Sequence, residues 1–337
     1  MKLLKTSLAL MLIGLSTWGQ AVTPLNPQNA NNPPLATKQV AGFYHIPLDR
    51  FQVTALYDGY VNLPTTIFKG EKPATLENLL TSGYIDYKNG IQTSVNAYLV
   101  NTGSHLVLID SGAAKCFGDA LGSIEENIQA AGYRPDQIDT VLLTHLHPDH
   151  ACGISPVEGQ KAFKNSTVYV NKLEADFWLN PANLQKYPPA KQAMFKDAFA
   201  TTARVLKPYQ DSQQYKTYQA GDTIIDGIKV IPTYGHTVGH TSYLVESGQQ
   251  QLLVLGDVVH NHTLQFQRPD INLDFDFDAK QAIQIRQQQF GEAAKTGRLV
   301  AGAHLPFPGI GHIRQLGKNR FEWLPVDYSP VLKPAQP

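Results

Sequence analysis

The stretch THLHPDH, residues 144–150, places three histidines and an aspartate within seven positions. The residues just before it, TVLL at 140–143, form a short apolar run of the kind that makes a buried strand. Polar side chains this dense, arriving where an apolar strand ends, either decorate a surface turn or converge on something that needs nitrogen and oxygen ligands. His145 and His147 flank a single residue, so on an extended segment both side chains point the same way. Asp149 and His150 follow Pro148, which stiffens the segment, and Gly153 lets the backbone turn. One histidine at a strand end is ordinary. Four candidate ligands in six residues form a cluster suited to zinc or a similar borderline metal.

The same placement recurs further along the chain. His236 ends the segment IKVIPTYG, Asp257 ends QLLVLG and His304 ends LVAGA. An unpaired carboxylate at the end of so apolar a strand would be costly to bury. Together His145, His147, Asp149, His150, His236, Asp257 and His304 are too many for one tetrahedral ion and the right number for two. His240, four residues after His236, and Asp110, at the end of HLVLID, are read as outer partners that orient the ligands.

The chain of 337 residues is 42% hydrophobic and 17% charged, enough for one large domain or two modest ones. Lys plus Arg and Asp plus Glu both number 28, which gives no electrostatic footprint for nucleic acid or an anionic membrane. MKLLK followed by SLALMLIGL and small residues reads as a signal peptide over 1–21, since the apolar run is too short to span a bilayer. The Pro- and Asn-rich segment 22–40 reads as a flexible leader, and 41–337 as the catalytic domain. Export to the periplasm or the medium is expected, with no membrane attachment after cleavage. The two cysteines, Cys116 and Cys152, are read as free, because a pairing cannot be deduced without knowing how close their backbones lie.

FYHIPLDRFQVTALYDGYVNLP reads as two strands turning at Asp49-Arg50, and ATLENLLTSGY as a helix ended by Gly83. SVNAYLVNTGSHLVLIDSG gives two more strands joined at Thr102-Gly103. CFGDALGSIEENIQAAGY, from Cys116 to Tyr133, reads as an amphipathic helix stopped by Gly132. TVYVN is a strand, KLEADFWLN a helix, and Pro188 to Tyr209 a second helix. IKVIPTYG, TSYLVES, QLLVLGDVV and RLVAGAH are strands, and FEWLPVDY closes the chain. The clearest helix is DAKQAIQIRQQQFGEAAKTG, with Asp278 as N-cap and Gly297 as stop. Strand clusters followed by helices, twice over, predict an α/β fold of two sheets packed face to face with helices outside.

HLHPDH, the GH of YGHT, the GD of VLGD and the isolated AH of AGAH resemble the ligand series of metallo-β-lactamase fold hydrolases. That resemblance implies a four-layer αβ/βα sandwich holding two divalent ions, zinc first, with manganese, cobalt or iron compatible. It implies that His145, His147 and His236 hold one ion and Asp149, His150 and His304 the other. Asp257 and a hydroxide would bridge them, which makes Asp149 and Asp257 the catalytic carboxylates. VNAYLVNTGSHLVLIDSGAA, EADFWL and AHLPFPGIGHIR are similar to methyl parathion hydrolase and its secreted lactonase relatives. This group implies a homodimer and an aromatic pocket, in which Phe117 and Trp178 match two positions; Met194 and Phe195 stand where a third aromatic is expected.

The chemistry expected is hydrolysis, in which the bridging hydroxide attacks a carbonyl carbon or a phosphorus. The resemblance argues against an antibiotic substrate, because active β-lactamase subgroups usually lack an aspartate at the position of Asp257. A neutral site favours a small uncharged aryl ester or aromatic lactone, with phosphotriesters as the alternative. His260 stands where the organophosphate-degrading relatives carry an apolar side chain, and Leu273 and Phe275 add bulk. An imidazole at His260 could bond a lactone's ring oxygen or a departing phenolate; the alternative reading is that His260 and His262 are surface polar residues. A periplasmic metal-binding protein without turnover is the reading from another class; an open face on the metals would argue against it.

Overall fold

Alternating β-branched and aromatic residues build the first sheet, whose seven strands run in the order β1-β2-β4-β5-β6-β7-β8. β1 (Phe43–Leu48) and β2 (Phe51–Leu63) form the expected hairpin, with Leu48 opposite Phe51. β4 (Ile91–Asn101) lies antiparallel along nearly all of β2, and β5 (Leu106–Ile109) returns after Thr102-Gly103. β6 (Thr140–Leu142), β7 (Thr167–Asn171) and β8 (Tyr215–Tyr218) continue the sheet in parallel. The computed structural model describes residues 35–37 and 39–331. The expected signal peptide and most of the leader therefore lie outside the described residues.

The second sheet has the order β16-β15-β14-β12-β11-β10-β9. Its strands are β9 (Thr223–Ile225), β10 (Ile228–Pro232), β11 (Thr241–Ser247), β12 (Gln250–Gly256), β14 (Leu299–Gly302), β15 (Ile310–Gly317) and β16 (Arg320–Pro325). β12 and β14 pair in parallel, which requires a crossover, and α7 (Ala279–Thr296) supplies it. α7 starts and stops where the sequence predicts: the Asp278 side chain accepts from the Gln281 amide, and Gly297 closes the helix at φ 68°. A small ribbon of β3 (Phe68–Lys69) and β13 (Asn272–Leu273) stands apart from both sheets.

Side-chain alternation sends each strand's residues into two different cores. Val53, Tyr98 and Leu142 of the first sheet meet Tyr243, Val254 and Ala301 of the second. The opposite face of the first sheet, with Leu99, Leu108 and Val141, packs against α2 (Ile124–Ala130) and α5 (Pro189–Asp211) through Ile128, Phe199 and Leu206. The outer face of the second sheet, with Leu253 and Val300, packs against Phe290 and Ala293 of α7. The result is the expected αβ/βα sandwich. α1 (Pro73–Ser82), α3 (Pro148–Ala151), α4 (Lys172–Trp178) and α6 (His262–Gln265) are the remaining α-helices among the described residues.

Two expectations need correction. The helix read from Cys116 begins only at Ile124, because Gly118 and Gly122 adopt φ values of 108° and 96° that a right-handed helix cannot contain. Cys116 and Cys152 are not free: they form a disulfide, with 6.5 Å between their Cα atoms. The reason is topological. β5 and β6 are parallel neighbours, so the segments leaving them run side by side; Ser111 N donates to His150 O at 2.9 Å and Gly153 N to Gly112 O at 3.0 Å. Gly153 is needed for this approach rather than for a turn, since a Cβ there would lie 1.8 Å from the Ser111 carbonyl oxygen.

Candidate metal centre

The ends of four strands converge at one edge of the sandwich. The turn after β6 and α3 supply His145, His147, Asp149 and His150, while His236 follows β10, Asp257 follows β12 and His304 follows β14. Ligand atoms of His145, His147, His236 and Asp257 all lie within 4.8 Å of one another, and so do those of Asp149, His150, Asp257 and His304. Asp257 belongs to both groups. Its Oδ2 lies 3.2 Å from His236 Nε2 and 3.6 Å from His145 Nε2, and its Oδ1 lies 3.0 Å from His150 Nε2 and 3.2 Å from His304 Nε2. Gly256 permits this placement: at φ 57° it brings the backbone so close that a Cβ would sit 2.8 Å from His240 Nε2.

These spacings fit metal ions. Ligands about 2.1 Å from a tetrahedral ion stand about 3.4 Å from one another. His236 Nε2 and His147 Nδ1 face each other at 3.0 Å, and Asp149 Oδ2 lies 3.5 Å from His150 Nε2 and 3.4 Å from His304 Nε2. His145 Nε2, His150 Nε2 and Asp257 Oδ1 are buried with no hydrogen-bond partner among the described residues. Orphaned polar atoms cost about 1–3 kcal/mol each, and here they aim at common points. The cluster is therefore a site for divalent metal ions.

Bonds at the far side of the His145, His150 and His304 rings fix their orientation. His150 Nδ1 pairs with Asp110 Oδ2 at 2.9 Å, His145 Nδ1 with Thr144 Oγ1 at 3.0 Å, and His304 Nδ1 donates to Ser94 O at 2.9 Å. Asp110 also accepts from Thr144 through both its oxygens and sits at φ 59°, a strained backbone of the sort found at functional sites. His240 lies behind the ligands as read from sequence: its Nε2 accepts from the Asp257 amide at 2.9 Å, and its Nδ1 meets Thr233 Oγ1 at 2.8 Å.

Sequence reasoning missed two carboxylates. Asp276 Oδ1 holds His236 Nδ1 at 2.8 Å, and the acidic, aromatic segment around it gave no periodic signal. Glu174, fully buried on α4, accepts from Leu146 N at 3.1 Å and from Gly239 N at 2.8 Å. One carboxylate thus links the ligand loop of the first sheet to that of the second. Among charged neighbours in KLEADFW it looks like a solvent-facing helix residue.

The centre attracts positive charge. Burial would push the Asp257 carboxyl up, yet the imidazoles of His150, His304 and His260 hold it well below the usual carboxylate range. Burial likewise lowers His150, but Asp257, Asp149 and Asp110 pull it well above the usual imidazole value, and Asp257 and Asp276 raise His236 to about 9. Desolvation keeps His145 and His147 well below their ordinary value, as neutral ligands. A site that draws protons onto His150 and His236 draws divalent cations more strongly, and metal entry would release those protons.

A cavity of about 410 Å3 opens over the cluster, with Asp149, Asp257 and His304 on its floor. Phe117, Met194, Phe195, His260 and Phe275 line it. Trp178 and Leu273 do not. Trp178 is 1% exposed and packs edge-on behind His147, while Leu273 pairs with Phe68 and is buried in a separate cluster. His260 is 2% exposed, which removes the surface reading. Its Nε2 lies 3.0 Å from Asp257 Oδ2, so the ring braces that carboxylate rather than offering this nitrogen to a leaving group.

The Metallo-beta-lactamase superfamily profile matches residues 90–284. The crystal structure of hydrolase AbOPH in the beta lactamase superfamily is 46% identical, with TM-score 0.84, over 87% of this chain and all of that one. AidC, a dizinc quorum-quenching lactonase solved with a product homoserine, is 28% identical with TM-score 0.79, over 86% of this chain and 99% of its own. A Mycobacterium bovis protein described as "Probable metallo-hydrolase Mb2322c" is 24% identical over 196 residues, 51% of this chain and 59% of that protein. The match to that relative therefore spans less than two thirds of it. An N-acyl homoserine lactonase of Bacillus cereus is 21% identical over 54% of this chain and 68% of its own length.

Proposed function

The chain belongs to the metallo-beta-lactamase superfamily of hydrolases, and from that premise we propose that it is a dinuclear hydrolase of uncharged aryl esters and aromatic lactones. One observation carries the reading. The cavity wall is mostly apolar and aromatic, with Thr201 and Asp197 among its few polar members; it has no Lys or Arg among its lining residues and ends on both ligand groups. A negatively charged substrate would find no Lys or Arg in the wall to meet it, whereas a neutral ring can bury itself against Phe117 and Phe195. The likeness to AbOPH, described as a hydrolase, and to AidC, described as a dizinc lactonase, each over most of this chain, supports a hydrolase and, through AidC, a lactone among its substrates.

Two bound divalent ions would supply Lewis acidity, polarising a substrate oxygen and lowering the pKa of a water to about 7. The chain's own residues do the rest. Asp257 would hold the two ligand groups in register, with its charge already stabilised by the imidazoles around it. Asp149, whose side chain keeps 20% of its surface exposed, reaches the cavity and can accept a hydrogen bond from the attacking water, fixing its direction. Phe117 and Phe195 would orient the ring and exclude other water.

The test is hydrolysis by the purified protein of a phenyl ester, an aromatic lactone and a phosphotriester, with metal content measured on the same sample. Turnover of ester or lactone is expected to exceed that of the phosphotriester. Bound metal with no turnover of any of the three would favour the metal-binding reading instead.

Export and a homodimer are part of the proposal. The Cys116–Cys152 bond supports export, because disulfides persist in oxidising compartments. Mass measurement is expected to find a mature chain lacking about 21 residues, and under native conditions a dimer. A cytoplasmic protein that retains Met1 would count against export.

A further inference from the structure

Asp58, wholly buried on β2, grips both ends of the loop that joins β5 to α2. Its carboxylate accepts from Ala113 N at 2.8 Å, Gly122 N at 3.1 Å and Ile124 N at 3.3 Å. Between these anchors the chain rises over the cavity, where Cys116 and Phe117 form part of the wall and Phe117 is 54% exposed. The crest has weak ties of its own. The Cys116 amide bonds locally to Ala113 O, and the Arg204 guanidinium reaches the Cys116 sulfur only at 3.7 Å. What fastens the crest is the disulfide to Cys152, a residue with no exposed surface directly after α3, the turn that carries Asp149 and His150.

We propose that the Cys116–Cys152 bond is a specificity determinant of this site: it locks the wall bearing Phe117 to the turn bearing the metal ligands, and so sets the largest substrate the cavity admits. This rests on the reading of the cavity as the substrate site. The bond joins the rim of the cavity to its floor, so the two cannot separate while it is intact. Without it, the loop is held by Asp58 at its ends, by the Tyr60 amide on Ala120 O at 3.4 Å and by the buried Leu121; none of these ties reaches Cys116 or Phe117, so Phe117 can swing away from the opening. The metal ligands keep their partners, because Asp110, Glu174 and Ser94 hold them independently of the loop.

The test compares the wild type with the double variant Cys116→Ser/Cys152→Ala, which leaves no free thiol. The ratio of kcat/KM for a naphthyl ester to that for a phenyl ester should rise about fivefold or more in the variant, with metal content unchanged. Amide hydrogen exchange should quicken at 115–121 and stay slow at 144–151. A phosphine reductant should reproduce both effects in the wild type and change nothing in the variant. It cleaves the bond with one water, which gives its oxygen to the phosphine and one proton to each sulfur. An unchanged ester ratio, or equal exchange at 115–121 in both proteins, overturns the proposal. If the wild type turns over neither ester, the proposed function fails, while exchange at 115–121 still decides whether the bond holds the wall.

Discussion

Asp257→Asn is expected to lower hydrolysis by at least about a hundredfold, beyond the 10- to 100-fold that losing even an outer partner of a ligand costs. The carboxylate stands in both ligand groups, so the amide weakens both at once. An amide also presents a donor on one side, where Asp257 offers only acceptors to His145, His150, His236 and His304. Metal measured by elemental analysis should fall below the wild-type content, and a chelator should abolish the wild-type activity until divalent ions are returned. Folding should suffer much less. When the carboxylate charge goes, the pull that raises His150 and His304 weakens, and Asp149 and Asp110 remain beside His150 as partners. Thermal melts of both proteins in chelator separate the two effects. A variant with full activity and full metal content would remove Asp257 from the role given to it.

His260→Leu should shift substrate choice by about tenfold, raising the kcat/KM ratio of phosphotriester over lactone by roughly 1.4 kcal/mol of differential transition-state binding. The ring lies on the cavity wall and stacks against His304 with centroids 5.0 Å apart. Burial lowers it to about 4, so near neutrality it is an uncharged imidazole that donates to Asp257. Leucine would give a phosphotriester's alkoxy arms apolar surface where the imidazole sits. It would also release one bond on Asp257, so both proteins are to be assayed with metal in excess. An unchanged ratio would show that the wall at this point does not discriminate between the two substrates.

Much of the centre was legible because its chemistry is concentrated in short, unusual strings. HLHPDH, and single polar residues closing apolar strands, seldom serve packing alone, and the structure brings all seven side chains together. The fold followed from strand alternation and from caps such as Asp278 and Gly297. What stayed hidden depends on contacts between distant segments. Glu174 and Asp276 look like solvent-facing acids until the loops they hold are folded over them. The disulfide requires knowing that β5 and β6 are parallel neighbours. Trp178 and Leu273 differ from Phe195 and Phe275 only in which way the backbone turns them, and composition does not carry that information. The edge strands β8 and β9, four and three residues long, are too short for a period of two to register.

The two ligand groups interleave along the chain, and this orders events during its synthesis. Neither group can form before Asp257 has been made, and the second still waits for His304, further along the chain. A growing chain therefore carries histidine-rich loops without a finished cage, and capture of the ions has to follow the meeting of the two sheets. Metal uptake is then a late checkpoint on assembly: only a chain that has joined its first half to its second acquires the means to act.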